Sequence, residues 1–183
     1  MTIPTPIRLV HVVGSGALTP LVRRAVEVVD ASAPTTCVVP RVPGRAPLAE
    51  LSDVRLADEV GDALDDVLAA VQGELARLQP GGRLVFVLPA APLMAVRAGT
   101  AASAVAGGVL SMARTLSIEL ARDAVAVNVV ALDEDGPADV PPTPERGAAL
   151  GAQLAALAGP GGERITGQEI YLTAGSDLGR SRP

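Results

Sequence analysis

Residues 7–13 form a largely β-branched apolar run that stops at Gly14-Ser15-Gly16, and Thr19-Pro20 then offers an N-cap and a first helical position for residues 21–29. This reads as a strand, a tight glycine turn and a helix. Residues 35–39 form a second short strand closed by Pro40, and residues 41–47 are a Pro- and Gly-rich loop. Leu56, Val60, Leu64, Val67, Leu68, Val71, Leu75 and Leu78 then recur at intervals of three and four, which predicts an amphipathic helix over 53–78. Asp58, Glu59, Asp62, Asp65 and Asp66 mark its polar face. After Pro80-Gly81-Gly82, residues 83–88 are apolar without alternation, as in a strand covered on both faces. Residues 98–121 predict a long Ala-rich helix, 125–131 a fourth strand, Thr143-Pro144-Glu145 the cap of a helix to 157, and 169–173 a fifth strand. Such alternation predicts an α/β fold with a doubly wound, Rossmann-like parallel sheet of about five strands.

The helix over 98–121 carries no charge between residues 98 and 113, so it lacks the polar stripe of an outer helix. A subunit interface is expected there, built with the 53–78 helix from Leu64, Val71, Leu75, Ala101, Val105, Val109 and Met112, with a helix buried entirely within its own domain as the alternative. A bilayer is the competing cover, but the run is short and poor in Leu, Ile and Phe.

A chain of 183 residues fits a single domain over 1–183, with 175–183 as a tail. All 15 basic residues are Arg, and Tyr171, Phe86, His11 and Cys37 are each the sole residue of their type. With no Lys, a Schiff base, a Ser–Lys dyad and a Lys-bearing phosphate loop are excluded. One Cys and one His exclude a disulfide within the chain and the usual zinc sets. A net charge of −5 with scattered Arg argues against nucleic acid as a partner. No secretory signal pattern opens the chain, and with a single Cys the expectation is a cytoplasmic protein.

Gly81-Gly82-Arg-Leu-Val-Phe-Val-Leu, Met112-Ala-Arg-Thr-Leu-Ser-Ile-Glu-Leu-Ala121, Val127-Asn128-Val129-Val130-Ala131 and Ile165-Thr-Gly-Gln-Glu-Ile170 followed by Ala174-Gly175 occur in one order and spacing. Together they resemble the short-chain dehydrogenases/reductases, and most of all the branch of 3-oxoacyl-acyl-carrier-protein reductases. The resemblance covers residues 45–178. It implies a sheet in which two strands of the ligand-binding edge have been lost and the remaining five are kept in order.

That family's catalytic Tyr and Lys map onto Ala102 and Ala106, its carbonyl-binding Ser onto Pro89, and its helical Asn onto Ala70. Alanine and proline can neither donate nor orient a proton, whereas ketone reduction needs an acid at the developing alkoxide. Leu18 and Pro20 replace two of the family's turn glycines after Gly14. The resemblance therefore implies an inactive subunit that binds no cofactor itself and assembles with an active homologue holding NAD(P), one acting on 3-oxoacyl or hydroxyacyl thioesters. Two alternatives stay open: a homodimeric ligand-binding module, or an enzyme of unrelated chemistry using the remnant cleft.

Other residues have plainer readings. His11 is expected to be buried or at an edge with one backbone partner, Cys37 to be a small core residue, and Tyr171 to be a core or rim residue. Asp133-Glu134-Asp135-Gly136 is a solvated acidic loop with cation binding as the alternative, and Arg41 and Arg45 lie where an anion such as a phosphopantetheine phosphate could be met.

Overall fold

The computed structural model describes residues 9–133 and 144–173. The apolar runs become β1 (Val10–Val13), β2 (Thr35–Val38), β3 (Arg83–Pro89), β4 (Ala126–Leu132) and β5 (Glu169–Leu172), all parallel and ordered across the sheet as in the chain. The five strands of the expected shortened sheet are all present, with β1 at one edge and β5 at the other. The helices are α1 (Thr19–Ala25), α2 (Asp53–Leu56), α3 (Asp62–Leu78), α4 (Ala90–Leu93), α5 (Thr100–Glu119) and α6 (Pro144–Ala158).

Side chains alternate across a strand, and here the alternation divides the core in two. Cys37, Val39, Val85, Val87, Val130 and Leu132 pack against Leu21 and Val22 of α1 and Leu150 and Leu154 of α6. Val38, Leu84, Phe86, Leu88, Val127 and Val129 pack against Val67 and Val71 of α3 and Val105 and Val109 of α5. Both faces are covered, which is why the β3 and β4 sequences are continuously apolar.

The chain steps across the sheet in one direction while α1 and α6 lie on one face and α3 and α5 on the other. Two crossovers therefore have the opposite hand from the other two, although parallel crossovers are right-handed in about 98% of cases. With α3 and α5 taking the usual hand, α1 lies on the face from which a right-handed return leads outward past β1. No described strand lies there.

Several elements differ from the sequence expectation. The helix expected over 53–78 is interrupted by a widened π turn at Ala57–Gly61. Apolar spacing does not register it, because the wide turn shifts the buried face by less than one residue. Thr19 is not the cap of α1: Leu18 holds that position without a side-chain bond, and the α-helix ends at Ala25, followed by a 3₁₀ turn at Val26–Val28. The cap Thr143 and the residues 174–183 lie outside the described residues.

Four of the expected partner-facing residues are corrected by burial. Val71, Ala101, Val105 and Val109 are covered by the chain's own sheet and helices, and only Leu64, Leu75 and Met112 retain partial exposure. A spacing of three and four marks the covered stripe without saying what covers it. The outer side of α5 presents Ala104, Gly107 and Ser111. By length and composition Thr100–Asp123 could cross a bilayer. In this fold it is the covering helix of β3 and β4, with Val105 and Val109 seated on the sheet.

Candidate functional site

The carboxyl ends of β1 and β2 form the floor of a cleft of about 280 Å³, lined by Gly14, Ser15, Val39, Pro40, Arg41, Asp66 and Ala70. In open α/β sheets ligands bind outside the carboxyl ends of the strands. The turn beneath it is built by glycine for a definite reason. Gly14 has φ +103°, and a Cβ there would come within 2.2 Å of Val39 O; one on Gly16 would come within 2.0 Å of Pro40 O. The Gly16 amide donates to Val39 O at 3.1 Å. These glycines admit the backbone leaving β2, so the two loops at this end of the sheet are locked together. Arg41 stands 3.8 Å from Asp66, both partly exposed, and closes the cleft with a loose ion pair.

The four positions implied by the resemblance do not converge on this cleft. Ala70 lines it from α3, half-buried. Pro89 ends β3 and precedes α4, an element the sequence did not predict. Ala102 and Ala106 lie on α5 with 2% and 0% of their surface exposed. Ser103 Oγ donates to Pro92 O at 2.8 Å, tying α5 to α4.

The polar network that sequence reading missed lies at the outer edge of the sheet. Glu74 of α3 accepts from Thr36 Oγ1 at 2.9 Å and Arg77 Nε at 2.8 Å, and meets His11 Nδ1 at 2.9 Å. Arg77 also donates to Thr35 O at 2.7 Å, Leu9 O at 3.1 Å and Thr36 Oγ1. Burial alone would raise the Glu74 carboxyl, but the hydrogen bonds from His11, Arg77 and Thr36 hold it below the usual carboxylate range. His11 is thus an exposed edge residue whose partner is a carboxylate and not a backbone group. These partners are 38 and 63 residues from Glu74, so no local motif announces them.

Cys37 is fully buried, and burial pushes its thiol up to about 12 against a smaller opposing pull from Arg77. Tyr171 donates to Glu169, whose other oxygen meets Arg114 at 3.1 Å. Burial, then the hydrogen bond and charge of Glu169, push the phenol up to about 12. Arg146 donates to Asp133 O, while Glu134 to Gly136 of the acidic loop lie outside the described residues. No group of three or more His, Cys, Asp or Glu is arranged for a metal among the described residues.

No family model and no curated protein matches the chain. Solved structures do match in fold. A blue fluorescent protein from a metagenomic library, in complex with NADPH, shares 24% identity over 76% of this chain and 64% of its own, with a TM-score of 0.61. A short-chain dehydrogenase/reductase of the glucose/ribitol dehydrogenase type from Brucella melitensis shares 22% over 76% and 64%, with a TM-score of 0.62. A Phe-to-Trp variant of the actinorhodin polyketide ketoreductase with NADPH shares 23% over 77% and 66%, with a TM-score of 0.61. The chain therefore spans just under two thirds of the length of these neighbours.

One expectation is overturned by these neighbours. The chain was expected to bind no cofactor, yet two of the three structures that share its fold are NADPH complexes, so the shared architecture is one that holds a nucleotide. The loss of two turn glycines was too local a signal to decide against binding. The chain has a Rossmann-like α/β fold with a five-stranded parallel sheet, similar to that of these structures, one of which is a short-chain dehydrogenase/reductase.

Proposed function

We propose that the chain is a non-catalytic subunit of short-chain dehydrogenase/reductase type that assembles with and supports an active ketoreductase or hydroxyacyl dehydrogenase in the cytoplasm. The burial of Ala102 and Ala106 carries this reading. Where the resemblance implies a Tyr and a Lys reaching a substrate, this chain has two methyl groups buried within its own fold. Neither these nor Ala70 and Pro89 can protonate an alkoxide. Meanwhile the outer sides of α3 and α5 keep partly exposed apolar residues, among them Leu64, Leu68, Leu75 and Met112. In this reading the active partner supplies the acid–base pair and this chain supplies a supporting surface.

The cleft at Gly14 and Arg41 has a part in the same reading. NADPH in two neighbours supports a nucleotide there. The Ser15 hydroxyl and the Arg41 guanidinium are the groups suited to phosphate oxygens. At about 280 Å³ the cleft is at the small end of ligand pockets and suits a fragment of the dinucleotide, since no described strand beyond β1 walls an adenosine. The same cleft is what would favour a homodimeric ligand-binding module. Two measurements separate the readings: native mass spectrometry of the chain co-expressed with a homologous reductase, and NADPH titration of wild type against Arg41→Ala. A stoichiometric heteromer supports the subunit. A homodimer that ignores the reductase but binds ligand supports the module.

A further inference from the structure

Strand β1 ends the sheet on one side, and its outer row of main-chain groups is unused. The Thr35 amide donates to Leu9 O at 2.8 Å and the Val39 amide to Val13 O at 2.9 Å. Inward and outward groups alternate along a strand, so Leu9, His11 and Val13 bond to β2 while the N–H and C=O of Val10 and Val12 turn outward. No described strand receives them. Proteins blunt such edges with Lys, Pro or a bulge. Val10–Val13 has none of these: its four residues pair in regular register with β2, and its one polar side chain, His11, is turned to Glu74. Side chains thus close the α3 face of this edge and leave its backbone open.

The α1 side of the same edge carries a charge pattern that complements itself. Val26 and Glu27 line a groove of about 250 Å³ with Leu9 and Val10, while Leu21 and Val28 turn the other way, toward Gly147 and Gly151 of α6. Arg23 precedes Glu27 by four residues, one helical turn along the same side. Both are exposed, and neither is ion-paired among the described residues. With Arg24 and Asp30, the segment Arg23–Asp30 carries two positive and two negative groups, so two copies meet with no net like charge. α1 runs back antiparallel to β1. A two-fold axis at the edge therefore sets two copies of α1 head to tail and brings Arg23 of each toward the partner's Glu27.

We propose that β1 pairs antiparallel with β1 of a second copy, joining the two five-stranded sheets across a two-fold axis. The free groups fix the register. Val10 and Val12 are both used within the strand only when Val10 of one copy faces the partner's Val12, which makes two hydrogen-bonded pairs and sets the two His11 residues opposite each other on the axis. The inference goes beyond the subunit reading and does not depend on it, because this edge is a different surface from the outer sides of α3 and α5.

Sedimentation of the full chain up to about 200 μM should show a dimer with a Kd in the micromolar range, as suits a small interface. Val12→Pro removes one outward N–H and no bond to β2, and should raise Kd by about tenfold or more with the circular dichroism unchanged. Arg23→Glu should weaken the dimer roughly three- to tenfold, and the double variant Arg23→Glu, Glu27→Arg should restore it, a rescue that a fault in folding would not show. His11→Cys should form a disulfide dimer on mild oxidation, since residues opposed on the axis lie within disulfide reach and Cys37 is buried. Leu9→Cys, two residues off the axis, should not. A monomeric wild type overturns the proposal. So does a dimer indifferent to both Val12→Pro and the charge exchange, or one in which Leu9→Cys cross-links as readily as His11→Cys. No reductase enters these measurements, so their failure leaves the subunit reading standing.

Discussion

His11 Nδ1 and Glu74 Oε1 stand 2.9 Å apart across the outer edge of the sheet, one on β1 and the other on α3. With Thr36 and Arg77 they hold the end of α3 against a strand that has no neighbour on its far side among the described residues. The edge is thus closed by side chains where a longer sheet would close it with strands.

Glu74 should make this edge sensitive to acid. Its pKa in the folded chain lies below the unfolded value, so its stabilisation is complete above about pH 4.5 and is lost as pH falls through the folded value. Glu74→Gln should cost about 2 kcal/mol at neutral pH, several degrees in Tm, and flatten the acid limb of the stability curve. Urea unfolding from pH 7 to pH 3 measures both.

The glycines of the β1–α1 turn should tolerate no side chain. Gly14→Ala meets both a positive φ and Val39 O, and should lose about 3 kcal/mol or more. Gly107→Ala on α5 meets nothing within 4 Å and should raise the stability of the isolated chain by about 0.5–1 kcal/mol. Chemical denaturation of the two variants side by side tests the contrast.

Tyr171 gives a clean optical probe, because it is the only Tyr and there is no Trp. Phenolate absorbance should rise with a midpoint near pH 12, and Glu169→Gln should bring it down toward the ordinary value. The folded pKa is raised above the unfolded value, so this group's contribution is complete below about pH 10 and is lost as pH rises toward 12. An unshifted midpoint in wild type would contradict the Tyr171–Glu169 contact.

Cys37 should be silent to thiol reagents in the native chain, since burial both shields it and disfavours the reactive thiolate. Labelling at pH 8 should follow unfolding, rising in step with urea. Fast labelling of the folded protein would show that β2 opens.

The fold was legible wherever one local pattern decides one element. The β-branched runs, the stops at Gly14 and Pro80-Gly81-Gly82, and the periodic stripes placed five strands and the main helices. Local pattern failed where distance in space decides. Val71 and Val105 have the spacing of a contact face, but that spacing serves their own sheet. The Glu74 network joins residues far apart in the chain, and α4 carries too few residues and too much proline to announce itself. The absent turn glycines after Gly14 argued against a cofactor, while the architecture around them is shared with NADPH complexes.

The central claim is that this chain supports catalysis that it does not perform. Its most direct test is NADPH-dependent ketone turnover, measured for the chain alone, for a homologous reductase alone, and for the two co-expressed and purified together through a tag on this chain. The account predicts no turnover by the chain alone and a stoichiometric, active heteromer. Turnover by the chain alone, or a reductase that never co-purifies, would contradict it.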